Sequence, residues 1–337
     1  MKKIIIYASA FSLIMLLIPY ITVSSVNILP GNFTPETDDS APTGSPDSAN
    51  YPFESAEASA KSIPSSVSVY IKSEDKTEFM NTEEYIKGVV LAEMPSSFHS
   101  EALKAQAVAA RSCLLYNMEY YKTHTIPPEH NGAVICTDYT HCSAWRNIQA
   151  ELPQTAAKIS DAAAATENIV MLYDGKPINA VFHSTSSGIT ESAGDVWGKD
   201  VPYLQSVASS GDELSPKYTS VYEADIQTFT ETAEKNINGI DRNAPLFSDI
   251  KRSGAGGIIS LKICGVQISG QEFRSAYSLL STNADIKEEN GKIIISVKGY
   301  GHGVGMSQYG AEYLASNGAS FEDILKSYYS GVTVEKL

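Results

Sequence analysis

Between Ser100 and Tyr121 runs an alanine-rich segment in which Leu103, Ala107, Ala110, Leu114 and Met118 recur every three or four residues. That is the period of one face of an α-helix. Side chains this small let neighbours pack close to the helix axis, so the helix is expected at the centre of a fold. A chain with such a helix must wrap other elements around it, and the flanking sequence supplies both kinds. Ser66–Ile71 alternates as a strand does. Asn81 and Glu84 are spaced as a capping box for a helix running to about Glu93, with Pro95 just beyond it. Thr155–Glu167 reads as a helix. Ile169–Tyr173 and Ile178–His183 read as a hairpin about Asp174-Gly175. A second hairpin is expected about Cys264-Gly265, a strand over Ile293–Lys298, and a helix from about Ser307. Helices and strands mix without a regular βαβ repeat and without a nucleotide fingerprint. The expected fold is therefore α+β, a mixed two-lobed region around a long central helix with a ligand cleft.

The N-terminus sets the compartment. Lys2 and Lys3 precede an uncharged run from Ile4 to Val23, about the length that crosses a hydrocarbon core as one helix. A cleaved signal peptide usually has a shorter apolar core and a small-x-small cleavage site, and Ser24-Ser25 is a poor one. An uncleaved anchor over residues 1–26 is expected, basic end in the cytoplasm and the rest outside. Residues 27–65 are rich in Pro, Ser, Thr, Asp and Glu and lack hydrophobic periodicity, which predicts a disordered acidic linker. The region 66–337 carries the chemistry and has the length for two subdomains. Apolar residues are 43% of the chain, enough for a substantial core. A formal net charge of -14 excludes nucleic acid as a natural partner, since binding it needs a basic face.

Four constellations could carry chemistry. Glu93 is the only carboxylate in the apolar run from Val89 to Pro95, at the C-terminal end of its helix. Apolar surroundings and the negative end of the helix dipole both hold a proton on such a carboxyl. A general acid needs that near neutral pH. The plain alternative is a helix-end carboxylate facing solvent. Gly299-Tyr-Gly-His-Gly-Val-Gly305 places four glycines in seven residues around His302, followed by Ser307, Gln308 and Tyr309. It reads as a ligand-approaching loop or a tight strand-to-helix turn, and it is not a phosphate loop. His183, Ser184 and Ser187 lie in a hydroxyl-rich stretch, with Trp197 and Tyr203 nearby. Such a set suits carbohydrate, although an ordinary polar loop would look the same. Ser187 lacks the Gly-x-Ser-x-Gly elbow of a serine hydrolase. His130, Cys136, His141 and Cys142 fall within thirteen residues. They could form a tetrahedral zinc site, or Cys136 and Cys142 could form a disulfide with incidental histidines. Cys113 and Cys264 read as structural.

Three stretches together resemble the stage II sporulation protein D family. They are Tyr85-Ile-Lys-Gly-Val-Val-Leu-Ala-Glu-Met-Pro95 with Glu101-Ala-Leu-Lys-Ala-Gln-Ala-Val-Ala-Ala-Arg111; Phe182-His-Ser-Thr-Ser-Ser-Gly-Ile-Thr-Glu191 with Val196-Trp197-Gly198 and Pro202-Tyr203-Leu204; and Gly299-Tyr-Gly-His-Gly-Val-Gly-Met-Ser-Gln-Tyr-Gly-Ala311. The resemblance runs from about Val67 to the C-terminus. It implies a lytic transglycosylase that trims septal peptidoglycan during engulfment in sporulation, acting on glycan strands stripped of stem peptides. Such strands are close to neutral, so the acidic chain can bind them. It implies partnership with sporulation proteins P and M, the first being the amidase that strips those peptides, and a place in the intermembrane space of the sporulation septum. The family's catalytic glutamate carries over to Glu93. Gln106 and Arg111 match motif positions and are expected to line or brace the cleft. Some members of the family bind zinc through Cys and His near that glutamate, and the 130–142 cluster resembles that variant.

One essential carboxylate is consistent with this chemistry. A glycoside hydrolase normally needs two, and the candidates for a second here are Glu191 and Asp195. A lytic transglycosylase attacks with the sugar's own 6-hydroxyl, whose tethering gives it a high effective concentration. A non-catalytic glycan-binding scaffold is the reading from another class. Residues 206–290 carry almost no functional signal.

Overall fold

The computed structural model describes residues 62–337. The expected anchor, and the expected linker up to residue 61, lie outside the described residues. Among the described residues no helix is long and apolar enough to cross a membrane. The fold is mixed α+β, with eight α-helices and several small sheets among the described residues.

Strands β1 (Ser66–Ile71) and β2 (Lys76–Asn81) form an antiparallel pair. The Asn81 side chain accepts the Glu83 and Glu84 N–H groups and so starts α1 (Thr82–Glu93). The reciprocal half of the expected capping box is replaced, because Glu84 pairs with Lys87 one turn on. Helix α2 (Ser100–Tyr120) is the central helix, and its burial exceeds the single stripe read from the sequence. Ala105, Ala109, Leu115 and Tyr116 are buried as well as Leu103, Ala107, Ala110 and Leu114. Around it stand β3 (Ile135–Cys136), which runs parallel to β1, then α3 (Pro153–Ala165), β4 (Ile169–Tyr173) and β5 (Lys176–Pro177). Asp174 and Gly175 both have positive φ, the requirement of a tight type I′ turn. The expected long second strand of that hairpin is corrected. Pairing with β4 stops at Pro177, and β6 (Phe182–His183) joins a different sheet. A short α4 (Ala193–Trp197) follows.

Most of the stretch that carried no functional signal, together with the strand that follows it, is a lobe of its own. It contains β7 (Thr219–Asp225), α5 (Ile226–Asn236), β8 (Phe247–Arg252), β9 (Ile258–Ile263), β10 (Val266–Ser269), α6 (Gly270–Ala276), β11 (Ala284–Glu289) and β12 (Lys292–Lys298). Two antiparallel three-stranded sheets enclose Phe229, Leu261, Phe273, Ile293 and Ile295, a core separate from that of α2. The β9–β10 turn has Cys264 and Gly265 at positive φ, as the expected hairpin requires. The Gly299 N–H donates to the Tyr218 carbonyl at 2.7 Å, so the chain leaves and re-enters the first lobe at one point. It then completes that lobe with β13 (Met306–Ser307), α7 (Gln308–Ser316), α8 (Phe321–Tyr328) and β14 (Thr333–Lys336). Strand β13 runs parallel to β6, and β14 pairs antiparallel with β4. The hydroxyl-rich stretch and the glycine loop are thereby brought side by side.

Candidate active site

Glu93 is fully buried at the last position of α1, not facing solvent. Its helix places it there because Val89, Val90, Leu91 and Met94 around it are core residues. Removal from water raises its pKa from 4.5 to about 8, opposed by two donors that favour the anion. The Ala144 N–H donates to Oε1 at 2.7 Å, and the Gln308 amide reaches Oε2 at 3.5 Å. At pH 7 the carboxyl is therefore protonated, with donors in place to receive the anion once the proton leaves.

The Ala144 donor comes from the Cys/His loop. That loop docks on α1 beside Gly88: the Arg146 N–H donates to the Gly88 carbonyl at 3.1 Å. The Trp145 ring fills the space a side chain would need there, since a Cβ on Gly88 would come within 2.0 Å of Trp145 Nε1. Upstream, one nitrogen or sulfur from each of His130, Cys136, His141 and Cys142 lies within 4.8 Å of the other three. His130 Nε2 is 3.1 Å from Cys142 Sγ; His141 Nδ1 is 3.7 Å from Cys136 Sγ and 3.5 Å from Cys142 Sγ. Zinc bond lengths of about 2.0–2.3 Å give tetrahedral edges of about 3.3–3.8 Å, so these donors fit the ion. No disulfide joins Cys136 to Cys142. Hydrogen bonding with Cys142, and then with His130 and His141, holds the Cys136 thiol well below the usual thiol range, toward the thiolate a metal needs.

The glycine loop is forced by contact. Gly305 has φ +72°, and a Cβ there would lie 2.1 Å from the Val181 carbonyl; at Gly301 it would lie 2.7 Å from His183 Cβ. This approach lets one residue set two imidazoles. His183 Nδ1 donates to the Val304 carbonyl at 3.1 Å, while the Val304 N–H donates to His302 Nδ1 at 3.0 Å. Burial depresses both pKa values, that of His183 to about 4, so both rings are neutral and carry opposite tautomers. Trp197 lies 5.2 Å from His302, centroid to centroid.

Ser307 caps α7 by accepting the Gly310 N–H, and the next residue is Gln308, against Glu93. Tyr309 donates its N–H to the Ser184 carbonyl at 3.1 Å and sets its ring edge-on to Phe98 at 5.1 Å. The Ser184 hydroxyl is buried beside that of Thr185. Gln106 is wholly buried with neither amide atom partnered, and His183 Nε2 and Gln308 Oε1 are likewise without partners. Buried polar groups left this way are costly unless a ligand meets them.

Three expected site residues have partners away from Glu93. Arg111 is fully buried, its guanidinium committed bidentately to Glu83 at 2.7 and 2.8 Å and to the Ile169 carbonyl at 3.1 Å, so it braces α1 on α2 and does not line a cleft. The Tyr203 hydroxyl accepts the Asn179 N–H at 3.2 Å and its ring packs near Tyr173, also as a brace. Ser187 receives the Asn283 amide of the second lobe at 2.9 Å and lines one small cavity with Thr185, Gly301 and His302. Glu191 also turns that way and accepts the Gly257 N–H at 3.0 Å. Asp195 bonds the Ser192 hydroxyl at the start of α4. Sequence reading missed Ala144, whose contribution is a backbone N–H and leaves no side-chain signal. It also missed Asp212, a buried carboxylate in a polar stretch with no hydrophobic pattern around it.

Against known proteins, residues 70–173 match the model of the stage II sporulation protein (SpoIID) family. The whole chain is 34% identical to stage II sporulation protein D of Bacillus amyloliquefaciens, covering 96% of it, and 32% identical to that of Bacillus subtilis (strain 168), again over 96%. The chain belongs to the stage II sporulation protein D family. A more distant similarity, 30% identity over 74% of this chain and 40% of the relative, is to the amidase enhancer of Bacillus subtilis (strain 168). The family match spans Glu93, Gln106, Arg111 and all four Cys/His donors; the glycine loop lies beyond it and is covered by the full-length relatives.

Proposed function

We propose that the protein is a lytic transglycosylase that cuts the MurNAc–GlcNAc bond of peptidoglycan strands lacking stem peptides, and that Glu93 is its acid and base. The observation that carries this is the wholly buried Glu93 carboxyl, which holds its proton to about pH 8 while two donors wait for the anion. Glu93 gives its proton to the glycosidic oxygen as the C1–O bond breaks. The 6-hydroxyl of the same MurNAc attacks C1, and the carboxylate takes the hydroxyl proton, closing a 1,6-anhydro ring. Ala144 and Gln308 stabilise the carboxylate between the two transfers. Gln106 and His183, with their unpartnered atoms, receive sugar hydroxyls and amides, and His302 lies beside His183. Entry of the strand requires movement of the segments that cover Glu93.

Zinc is the ion assigned to His130, Cys136, His141 and Cys142. These four residues would hold the ion by protein donors alone, and what it would supply is a cross-link that holds the loop bearing Ala144. By analogy with the sporulation relatives and the amidase enhancer, the setting is septal wall remodelling during engulfment. The Ile4–Val23 segment anchors the chain in the membrane, the catalytic body lies in the intermembrane space, and the sporulation amidase P and membrane protein M are the partners. The test is mass spectrometry of products from denuded strands, wild type beside Glu93→Ala. Anhydro ends from wild type alone are expected. Reducing ends, heavier by one water, would mean a hydrolase and a role for Glu191 or Asp195. Binding of strands without cleavage by either protein would mean a scaffold.

A further inference from the structure

Asp212 is a fully buried acid of the first lobe that the mechanism above does not use and that no sequence motif marked. It sits in the loop that precedes the second lobe and is fully buried. Its two carboxylate oxygens take different partners: Oδ2 accepts the Ser186 hydroxyl and Oδ1 accepts the Ser307 hydroxyl, both in short hydrogen bonds. Ser209 adds a third hydroxyl to the same carboxylate and itself bonds the Tyr328 hydroxyl at 2.8 Å. The three serines come from three segments: the hydroxyl-rich stretch, the loop of Asp212 itself, and the start of α7. Ser307 matters most. Its oxygen accepts the Gly310 N–H at 3.2 Å, so the hydroxyl that Asp212 orients is the N-cap of α7. The next residue is Gln308, whose amide reaches Glu93 at 3.5 Å.

We propose that Asp212 is a positioning residue for the acid: by holding the Ser307 hydroxyl it fixes the first turn of α7, and through it the Gln308 amide against Glu93. This rests on the transglycosylase reading for its catalytic readout but not for its structural one. A carboxylate suits the position because both oxygens must accept. An amide offers one acceptor and turns two donors toward a serine, so one of the hydroxyl contacts must break. Loss of a positioned donor by a fraction of an ångström is felt in catalysis more than in binding.

The test is a double-mutant cycle in the full chain. Asp212→Asn is made in wild type and in a Gln308→Leu background, and anhydro-product release is measured on denuded strands. Asp212→Asn is expected to lower kcat on the order of 10-fold with little change in KM, and to lower it by less than about twofold once Gln308 is already gone. Equal falls in both backgrounds, or a change confined to KM, would overturn the proposal. Ser307→Ala removes one arm only and should reproduce most of the kcat loss if Asp212→Asn folds poorly. If wild type yields no anhydro ends, the transglycosylase reading fails, and hydrogen exchange of residues 307–311 decides this one. Faster exchange in Asp212→Asn supports the link, and unchanged exchange sinks it.

Discussion

Replacing Glu93 by Gln should make the protein more stable, and by an amount that depends on pH. The unfolded carboxyl releases its proton near 4.5, whereas the native one holds it to about 8. Below 4.5 both states are protonated and the group contributes no pH dependence. Between 4.5 and 8 the native state binds a proton that the unfolded state has lost, so stability falls as pH rises. Above 8 both are ionised and the loss is complete. At about 1.4 kcal/mol per pH unit, the whole gap corresponds to about 5 kcal/mol, of which about 3 kcal/mol is lost between pH 5.5 and pH 8. An amide of the same shape does not titrate. It can still accept the Ala144 N–H, and Gln308 Oε1, without a partner in the wild type, can turn to receive its N–H. The variant's urea midpoint should therefore exceed that of wild type increasingly from pH 5.5 to pH 8, at unchanged slope, while its activity is lost. Metal-ligand protonation is common to both proteins and cancels in the difference. A stability difference that stays constant across that range, or that favours wild type at pH 8, would refute the claim that burial holds the proton on Glu93.

The same value predicts the rate profile: anhydro-product release should fall along an alkaline limb centred near pH 8, as the acid ionises; a limb near 4.5 would point to an exposed carboxyl. Metal analysis should find one zinc per chain, and Cys136→Ala should lose it and lower Tm by roughly 10 °C or more; an unchanged Tm would deny the cross-link. Arg111→Met should destabilise by about 3 kcal/mol by stranding Glu83, with KM for glycan unchanged, because the guanidinium touches no cleft; a large rise in KM would restore it to the binding surface. Gly305→Ala should cost at least about 2 kcal/mol and be seen as a Tm loss, since φ +72° and the Val181 carbonyl both oppose a side chain.

The sequence determined the local elements and the chemistry of single positions. Helical periodicity marked α2, turn residues marked the Asp174-Gly175 and Cys264-Gly265 hairpins, and a lone carboxylate in an apolar run marked Glu93 as an acid whose proton burial would hold. Those signals are local: they follow from rotation per residue, from φ, and from the hydrophobicity of near neighbours. Tertiary structure decided which groups meet. It made Arg111 a brace through Glu83, twenty-eight positions away, and turned Ser187 toward Asn283 in the other lobe. It drew the four Cys/His donors within ligating distance without a disulfide. It set the two histidine tautomers through the backbone of Val304 and brought the N–H of Ala144 to Glu93. Apart from the Cys/His spacing, which left zinc and disulfide both open, none of these leaves a periodicity or a motif, because a long-range hydrogen bond depends on where two segments pack, and backbone donors are the same in every residue.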